Sequence, residues 1–220
     1  MKRGLTILAL ALGLASPAAA QLAGMPVWNT PSGGTGVTIS GDYGKPNDNG
    51  GGGNAFGARA SLGLANLNIT AGIASWKPKG ASNSLTSLGG DVAFRVIGGS
   101  LIPLSVNLQG GAARTTATGA PDLTTVTGAL GISINVPTPG LSIEPYVAPG
   151  IRYSKVGAFG LAPSSNNSNF GFVIGANLGL GMLGFHVAYD YTKLSSSQGG
   201  GSASTIGLGV HVALKAPMGM

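Results

Sequence analysis

The stretch that decides the fold runs from Ile206 to Lys215 and reads IGLGVHVALK. Every second residue, beginning with Ile206 and ending with Leu214, is aliphatic, and the residues between them are small or polar. A helix would repeat its apolar residues every three or four positions, whereas strict alternation is typical of a strand with two different faces. The stretch therefore predicts a β-strand, and the same test can be applied to the rest of the chain.

Nine further stretches after residue 35 show the same alternation. In each of them apolar side chains occupy alternate positions, and mostly glycine, alanine and polar residues lie between them. The ten predicted strands cover 37–43, 56–64, 67–75, 88–96, 104–112, 126–136, 141–153, 170–182, 185–191 and 206–215. The sequence therefore predicts an all-β fold.

Composition restricts the kind of all-β fold. Charged residues make up 8% of the chain, hydrophobic residues 43%, and glycine 40 of 220 positions, whereas a soluble domain carries roughly 25% charged residues. A transmembrane β-barrel hides its apolar side chains by alternation, so it never shows a long apolar run. We therefore predict an antiparallel transmembrane β-barrel of about ten strands in a bacterial outer membrane. Eight strands are the main alternative, and a secreted soluble β-rich binding protein is the more distant one.

The connections between the predicted strands alternate in length. Short ones lie at 65–66, 97–103, 137–140 and 183–184, and long polar ones lie at 44–55, 77–87, 113–125, 154–169 and 192–205. Outer-membrane barrels have short periplasmic turns and long extracellular loops. We therefore place the short turns in the periplasm and take 35–220 as the barrel domain.

The start of the chain is typical of an export signal. Lys2 and Arg3 precede an apolar run over 5–15, and the small residues 18–20 follow it. This order predicts a cleaved secretory signal peptide over 1–20, since the run is too short to span a bilayer. Residues 21–34 then form a predicted short periplasmic lead.

Six aromatic residues lie next to the long loops, where outer-membrane barrels carry an aromatic girdle at the membrane interface. The predicted girdle consists of Tyr43, Phe56, Trp76, Tyr153, Phe170 and Tyr191. Strict alternation would point Trp76 inward, so its membership requires a bulge or a strand end at that position.

Most of the charged residues within the strands fall on the predicted inner face. A lipid-facing Lys or Arg costs about 2–4 kcal/mol at the bilayer midplane, so these groups should face the lumen. The predicted lumen polar network consists of Arg59, Asp91, Arg95, Glu144, Arg152, His186, Asp190 and His211. Basic groups outnumber acidic ones, and inward Gly and Ala leave room. A narrow pore for small polar or anionic solutes is therefore the alternative to a filled barrel.

The sequence predicts no enzyme. A hydrolytic outer-membrane enzyme needs a nucleophile, a histidine and a carboxylate gathered near the outer rim. His186 and His211 are predicted towards the periplasmic end, and Asp190 lies about 13 Å from His186 along the same strand. We expect no catalytic, cofactor or metal site, and a structural or surface-interaction role.

Four basic residues near the long loops are candidates for contacts with lipopolysaccharide, because they would meet its anionic groups. They are Lys45, Lys77, Lys79 and Arg114. Basic residues do not cluster with stacking aromatics, so we expect outer-membrane lipid and no nucleic acid as a partner.

Three segments carry a resemblance to a known superfamily. The sequence PYVAPGIRY at 145–153 resembles the PYVGAGxGY-type strand of bacterial outer-membrane β-barrel domain proteins, and the Gly-alternating hairpin at 170–191 is similar to theirs. Residues 205–212 resemble the signal read by the barrel assembly machinery. The resemblance implies a small outer-membrane barrel and that machinery as a partner during biogenesis. The chain departs from the pattern by lacking a terminal Phe and by carrying Pro149 in mid-strand, where proline removes a ladder donor.

Overall fold

The structure, a computed structural model, describes residues 22–99 and 102–214. The predicted signal peptide over 1–20 lies outside the described residues, as does Lys215. Two single-turn 3₁₀ helices, Asp48–Gly50 and Ser196–Gln198, lie in loops. The strands are β1 (Gly36–Pro46), β2 (Asn54–Leu64), β3 (Leu67–Lys77), β4 (Leu85–Gly99), β5 (Ile102–Thr116), β6 (Leu123–Ile134), β7 (Val136–Thr138), β8 (Leu141–Val156), β9 (Ser165–Leu180), β10 (Leu183–Lys193) and β11 (Ser202–Leu214).

The strands form one closed antiparallel barrel. Each strand pairs with its neighbours in the chain, and β1 pairs with β11 from Val37–Leu214 to Pro46–Thr205. The short β7 continues β6 beyond Asn135, and both pair with β8. The barrel therefore has ten strand positions, which confirms the predicted fold class and excludes both eight strands and a two-sheet sandwich.

The predicted apolar faces point away from the lumen. Ile206, Leu208 and Val210 on β11 are each about half exposed, at 54%, 53% and 53%. Such an exterior suits a bilayer and not water, and the closed ring leaves no strand edge unpaired in lipid. None of the described helices approaches the length and apolarity that a membrane crossing requires. Even-stranded antiparallel barrels of this kind are the outer-membrane type, which agrees with the predicted location.

The observed strands extend beyond the predicted ones and shorten the long loops to 47–53, 78–84, 117–122, 157–164 and 194–201. The two-residue turn 65–66 lies where it was predicted, between paired Leu64 and Leu67. The turn predicted at 183–184 lies instead at 181–182, because Leu180 pairs with Leu183. Gly181, with φ of 67°, supplies the left-handed backbone conformation that a tight turn here requires.

Pro149 is accommodated without a change of register. On the β9 side the pairing is continuous through Pro149–Phe172. On the β6 side the ladder is interrupted between the pairs Ala129–Gly150 and Ile132–Val147, and it resumes in the same register. The missing N–H of proline therefore costs local pairing on one side only, and the closed barrel tolerates it.

Candidate functional site

A segment that sequence analysis placed outside the barrel lies within it. Residues 21–34 were predicted as a periplasmic lead, but the described residues 22–34, called the plug segment below, run through the lumen. Gly34 lies against Gly63 at the short-turn end, and Leu22 is buried at the long-loop end with 4% of its surface exposed. The prediction failed because a segment without strand periodicity gives no signal of where it lies relative to the barrel.

Inward side chains of the barrel hold the backbone of the plug segment. The plug segment is not part of the sheet, and a buried backbone group without a partner is costly. Barrel side chains supply the partners. The bonds are Val27 N to Asp190 Oδ2 (2.8 Å), Ser32 N to Glu144 Oε1 (2.8 Å), Gln109 Nε2 to Trp28 O (2.9 Å), Asn177 Nδ2 to Asn29 O (3.1 Å) and Ala23 N to Ser87 Oγ (3.2 Å). These polar residues are therefore complementary to a peptide chain.

Glycines in the barrel wall create the space for the plug segment. A Cβ atom at Gly44 would lie 2.2 Å from the carbonyl oxygen of Gly24, and one at Gly207 would lie 2.5 Å from Cγ of Pro26. Neither position tolerates a side chain while the plug segment is in place. Space left by inward glycines was one reason for considering a narrow pore. At Gly44 and Gly207 the plug segment itself occupies that space.

An apolar cluster, called the apolar cap below, lies at the long-loop end of the lumen. Leu22, Ala23 and Met25 of the plug segment form a buried cluster with five inward barrel residues, Ala55, Ala74, Trp76, Leu85 and Ala113. Ala81, Ala117 and Ala120 from the loops pack against this cluster. Apolar atoms from the plug, the wall and the loops meet in this cap, so it offers water no hydrogen-bonding partner.

Trp76 belongs to this cap and not to the outward aromatic girdle. It is 2% exposed, and its Nε1 donates a hydrogen bond to the carbonyl oxygen of Gly52 at 2.9 Å. The β2–β3 pairing is regular through Ala55–Trp76, so no bulge turns the indole outward. Strict alternation gives the correct orientation, and placing Trp76 in the girdle was wrong.

The other five predicted girdle residues lie at the long-loop end with at least part of the ring exposed. Phe56 and Phe170 are exposed, and Tyr43, Tyr153 and Tyr191 are half-buried. Tyr43 packs on Phe56 with ring centroids 5.3 Å apart. Their placement suits a membrane interface, and their role there stays a prediction.

The eight predicted lumen residues lie inside the barrel or at its short-turn mouth, but they form separate groups. Arg152 and Asp190 make a buried ion pair at 2.7 Å. Glu144 accepts hydrogen bonds from Ser133 and Asn177, and Asp91 accepts one from Gln109. At the mouth, Arg95 donates to Asn66 Oδ1 at 2.6 Å and to the carbonyl oxygen of Ser32. Asp190 holds the plug segment at Val27, whereas Glu144 and Arg95 both hold it at Ser32.

A further group contains a residue absent from the predicted network. Asp42 on β1 lies 2.6 Å from Arg59 Nε and 2.6 Å from His186 Nε2. His211 stacks on His186, with the two Nδ1 atoms 3.2 Å apart. The sequence does contain the signal, because Asp42 shares the inner face of its strand with Ser40. The carboxylate on the same strand as His186 is Asp190, which is too distant, whereas Asp42 reaches His186 from another strand.

The described residues contain no group of three or more potential metal ligands among His, Asp and Glu. The histidine pair touches a carboxylate that is already bound to Arg59. Its geometry supports a structural hydrogen-bond network deep in the lumen, far from the long loops.

Basic side chains form a regular pattern on the outer surface. Each strand that runs towards the long loops ends with one outward, exposed cation, and the five are Lys45 on β1, Lys77 on β3, Arg114 on β5, Lys155 on β8 and Lys193 on β10. We call these residues the outer cation ring. Arg114 is paired with Asp122, and the predicted lipopolysaccharide contact Lys79 lies in a loop, paired with Asp48 at 3.1 Å. Sequence analysis missed Lys155 and Lys193, although their strand positions follow the same alternation.

Comparison with known proteins finds likenesses of structure alone. No protein-family model and no curated protein matches the chain. The N-terminal β-barrel domain of Pseudomonas aeruginosa OprF matches over 83% of this chain and 99% of its own, at 13% identity and a TM-score of 0.38. Neisserial surface protein A matches over 81% and 96%, at 10% identity and 0.40. The outer-membrane enzyme PagL matches over 80% and 99%, at 13% identity and 0.42. These similar structures include an enzyme and a surface protein, and none of them transfers a residue role to this chain.

Proposed function

We propose that the protein is an outer-membrane β-barrel sealed by its own N-terminal segment, with a structural or surface-interaction role. The observation that carries the proposal is the plug segment, which occupies the lumen from the short-turn mouth to the apolar cap. A barrel that served as an open channel would need a continuous aqueous path, and we expect the cap at Leu22, Met25 and Trp76 to interrupt it. The narrow-pore alternative therefore requires the plug segment to move.

Single-channel recording on the full-length protein in a planar bilayer tests this proposal. We expect silence across moderate voltages, because the cap is apolar and the plug backbone is bonded to the wall at several heights. Correct insertion is checked on a denaturing gel, where a folded barrel changes mobility on boiling. Steady conductance steps from the heat-modifiable form would contradict a sealed barrel and support the narrow pore.

The proposal includes no catalysis. What supports this part is the position of the two histidines, which lie inside the lumen on β10 and β11 and not at the loops where lipid substrates arrive. Incubation with outer-membrane lipid followed by mass spectrometry is the direct check, and we expect no change in acyl chains or headgroups.

We also propose that the outer cation ring binds the phosphate groups of lipopolysaccharide. Lys45, Lys77, Lys155 and Lys193 make no ion pair with another described residue, and all four point outward at the long-loop ends of their strands. Anionic groups of the outer leaflet lie at that height if the long loops are extracellular. The even spacing around the barrel favours a lipid annulus over a single bound molecule.

Replacing these four lysines with glutamine should weaken lipopolysaccharide binding. A basic residue near an anionic membrane surface contributes about 1 kcal/mol, so each lysine should account for an affinity change of about fivefold. Binding is measured on the protein in nanodiscs with intact and with dephosphorylated lipopolysaccharide. The control is Lys79→Gln, which removes a cation already paired with Asp48. Equal affinity of the quadruple variant and the native protein for intact lipopolysaccharide would refute the assignment.

A further inference from the structure

The lumen also contains a cavity that has no part in sealing it. Below the apolar cap, a cavity of about 570 Å³ lies between the plug segment and the barrel wall. Gly63, Asn68 and Asn135, which border the short turns, contribute to its lining. The cavity therefore belongs to the short-turn half of the lumen. This half faces the periplasm when the short turns are periplasmic.

The lining of this cavity is polar but largely uncharged. It includes the amides of Asn68, Asn135 and Asn177 and the hydroxyls of Ser40, Ser61 and Ser142. Amide groups provide donors and acceptors side by side, and hydroxyls can act as either. Such a lining suits a ligand that presents both kinds of group at close spacing.

The charged groups at the cavity offer no free charge to a ligand of either sign. Arg59 is neutralised by Asp42, which it contacts through Nε and Nη2. Glu144 accepts hydrogen bonds from Ser32 N, Ser133 Oγ and Asn177 Nδ2. Because Arg59 is already paired with Asp42 and the Glu144 carboxylate already accepts three hydrogen bonds, neither group presents a free charge partner, and the rest of the lining offers neutral hydrogen-bonding groups to a neutral ligand.

The plug segment makes the site rigid before any ligand arrives. Trp28 packs edge-on against His186 at 4.5 Å and lies under the guanidinium of Arg59 at 5.1 Å. Asn177 is held between Asn29 O and Glu144. Fixed polar groups bind with less loss of side-chain entropy than mobile ones, so this arrangement favours binding.

We propose that this cavity is a periplasm-facing binding site for a neutral polyhydroxylated ligand, a mono- or disaccharide. Its volume lies within the range of about 300–1,000 Å³ that is usual for small-molecule sites. This goes beyond the sealed barrel, because the ligand would bind below the cap without crossing the membrane. The site and the seal can be tested separately. The plug residues that line the cavity begin at Trp28, whereas the cap contains Leu22, Ala23 and Met25.

Two tryptophans in different parts of the lumen provide a reporter for the test. The chain contains only Trp28 and Trp76, and Trp28 alone lines the cavity. In the variant Trp76→Phe, the emission of Trp28 is followed during titration with maltose and with N,N′-diacetylchitobiose, with calorimetry as a second readout. We expect saturable binding of at least one disaccharide with a dissociation constant of about 1 mM, as for a few neutral hydrogen bonds. Citrate and spermidine should bind at least tenfold more weakly.

A pair of neighbouring substitutions separates the cavity from the fold. Ala213 lines the cavity, whereas Val212 next to it points outward. Ala213→Phe should reduce disaccharide affinity at least tenfold, and Val212→Phe should leave it unchanged, with both variants heat-modifiable on gels. The proposal is overturned if both disaccharides give no saturable signal by either readout, if citrate or spermidine binds more tightly, or if the two variants bind equally well. A conducting native protein that still binds disaccharide would overturn the sealed barrel and leave this site standing.

Discussion

Deleting residues 22–33 should turn a silent barrel into a conducting one. The plug segment occupies positions where a single added Cβ would clash with it, so its removal opens space along the lumen. The groups it leaves behind include Asp190, Glu144, Gln109 and Asn177, all of which bond to its backbone. Water hydrates such polar groups readily, so we expect steady conductance steps in a planar bilayer where the full-length protein shows none.

The deletion needs a control because the plug segment also contributes to the packing of the barrel. A gel comparison of unheated and boiled samples shows whether the shortened chain still folds. If it does not, the double variant Leu22→Asn and Met25→Asn weakens only the apolar cap and should give brief openings. A synthetic peptide of residues 22–33 should restore silence to the deletion variant. A folded deletion variant without conductance would show that the plug segment is not what seals the lumen.

Asp190→Ala should destabilise the barrel by about 3–5 kcal/mol, the usual cost of removing one partner of a buried ion pair. Asp190 has no exposed surface, and Arg152 opposite it is 3% exposed. The substitution leaves a buried guanidinium without its counter-ion and the N–H of Val27 without its acceptor. Urea unfolding in lipid vesicles, followed by tryptophan fluorescence, measures the change.

The matched control for Asp190 is the exposed pair between Lys79 and Asp48. Both side chains are mostly in solvent, so Asp48→Ala should change the free energy of unfolding by about 1 kcal/mol or less. The double variant Arg152→Met and Asp190→Leu should recover much of the lost stability, because it removes both charges together. If Asp190→Ala and Asp48→Ala cost the same, the buried pair does not hold the plug segment in place.

Alternation, together with composition and loop length, was sufficient to predict the barrel. Within the described residues, every predicted strand lies inside an observed one or extends past its end by at most two residues. The side chains that face lipid are mostly apolar, and they occupy every second position of a strand. This regular alternation is the signal that the sequence shows. Trp76 illustrates the strength of this rule, since the alternation it was thought to violate gives its true orientation.

The contents of the lumen could not be predicted in the same way. The plug segment has no sequence repeat, because each of its residues meets a different part of the wall. Hydrophobic periodicity therefore cannot predict where it lies. Asp42 was overlooked because its partners, Arg59 and His186, lie on two other strands, and cross-strand contacts depend on register. Register follows from the turns, and the turn at 181–182 lay two residues from its predicted position.

The course of the plug segment constrains how the barrel assembles. Residue 22 lies under the loops at one end of the cylinder, and β1 starts from the other end after the chain reverses near Gly34. The ring closes through β1 and β11, the pair most distant in sequence, and pairing of that kind forms slowly. The loops cover the tube from above, so the N-terminal residues reach their place either before the seam between the first and last strands closes or through the short-turn end. A folded domain fused ahead of residue 22 should therefore stall insertion, whereas a fusion after residue 214 should not.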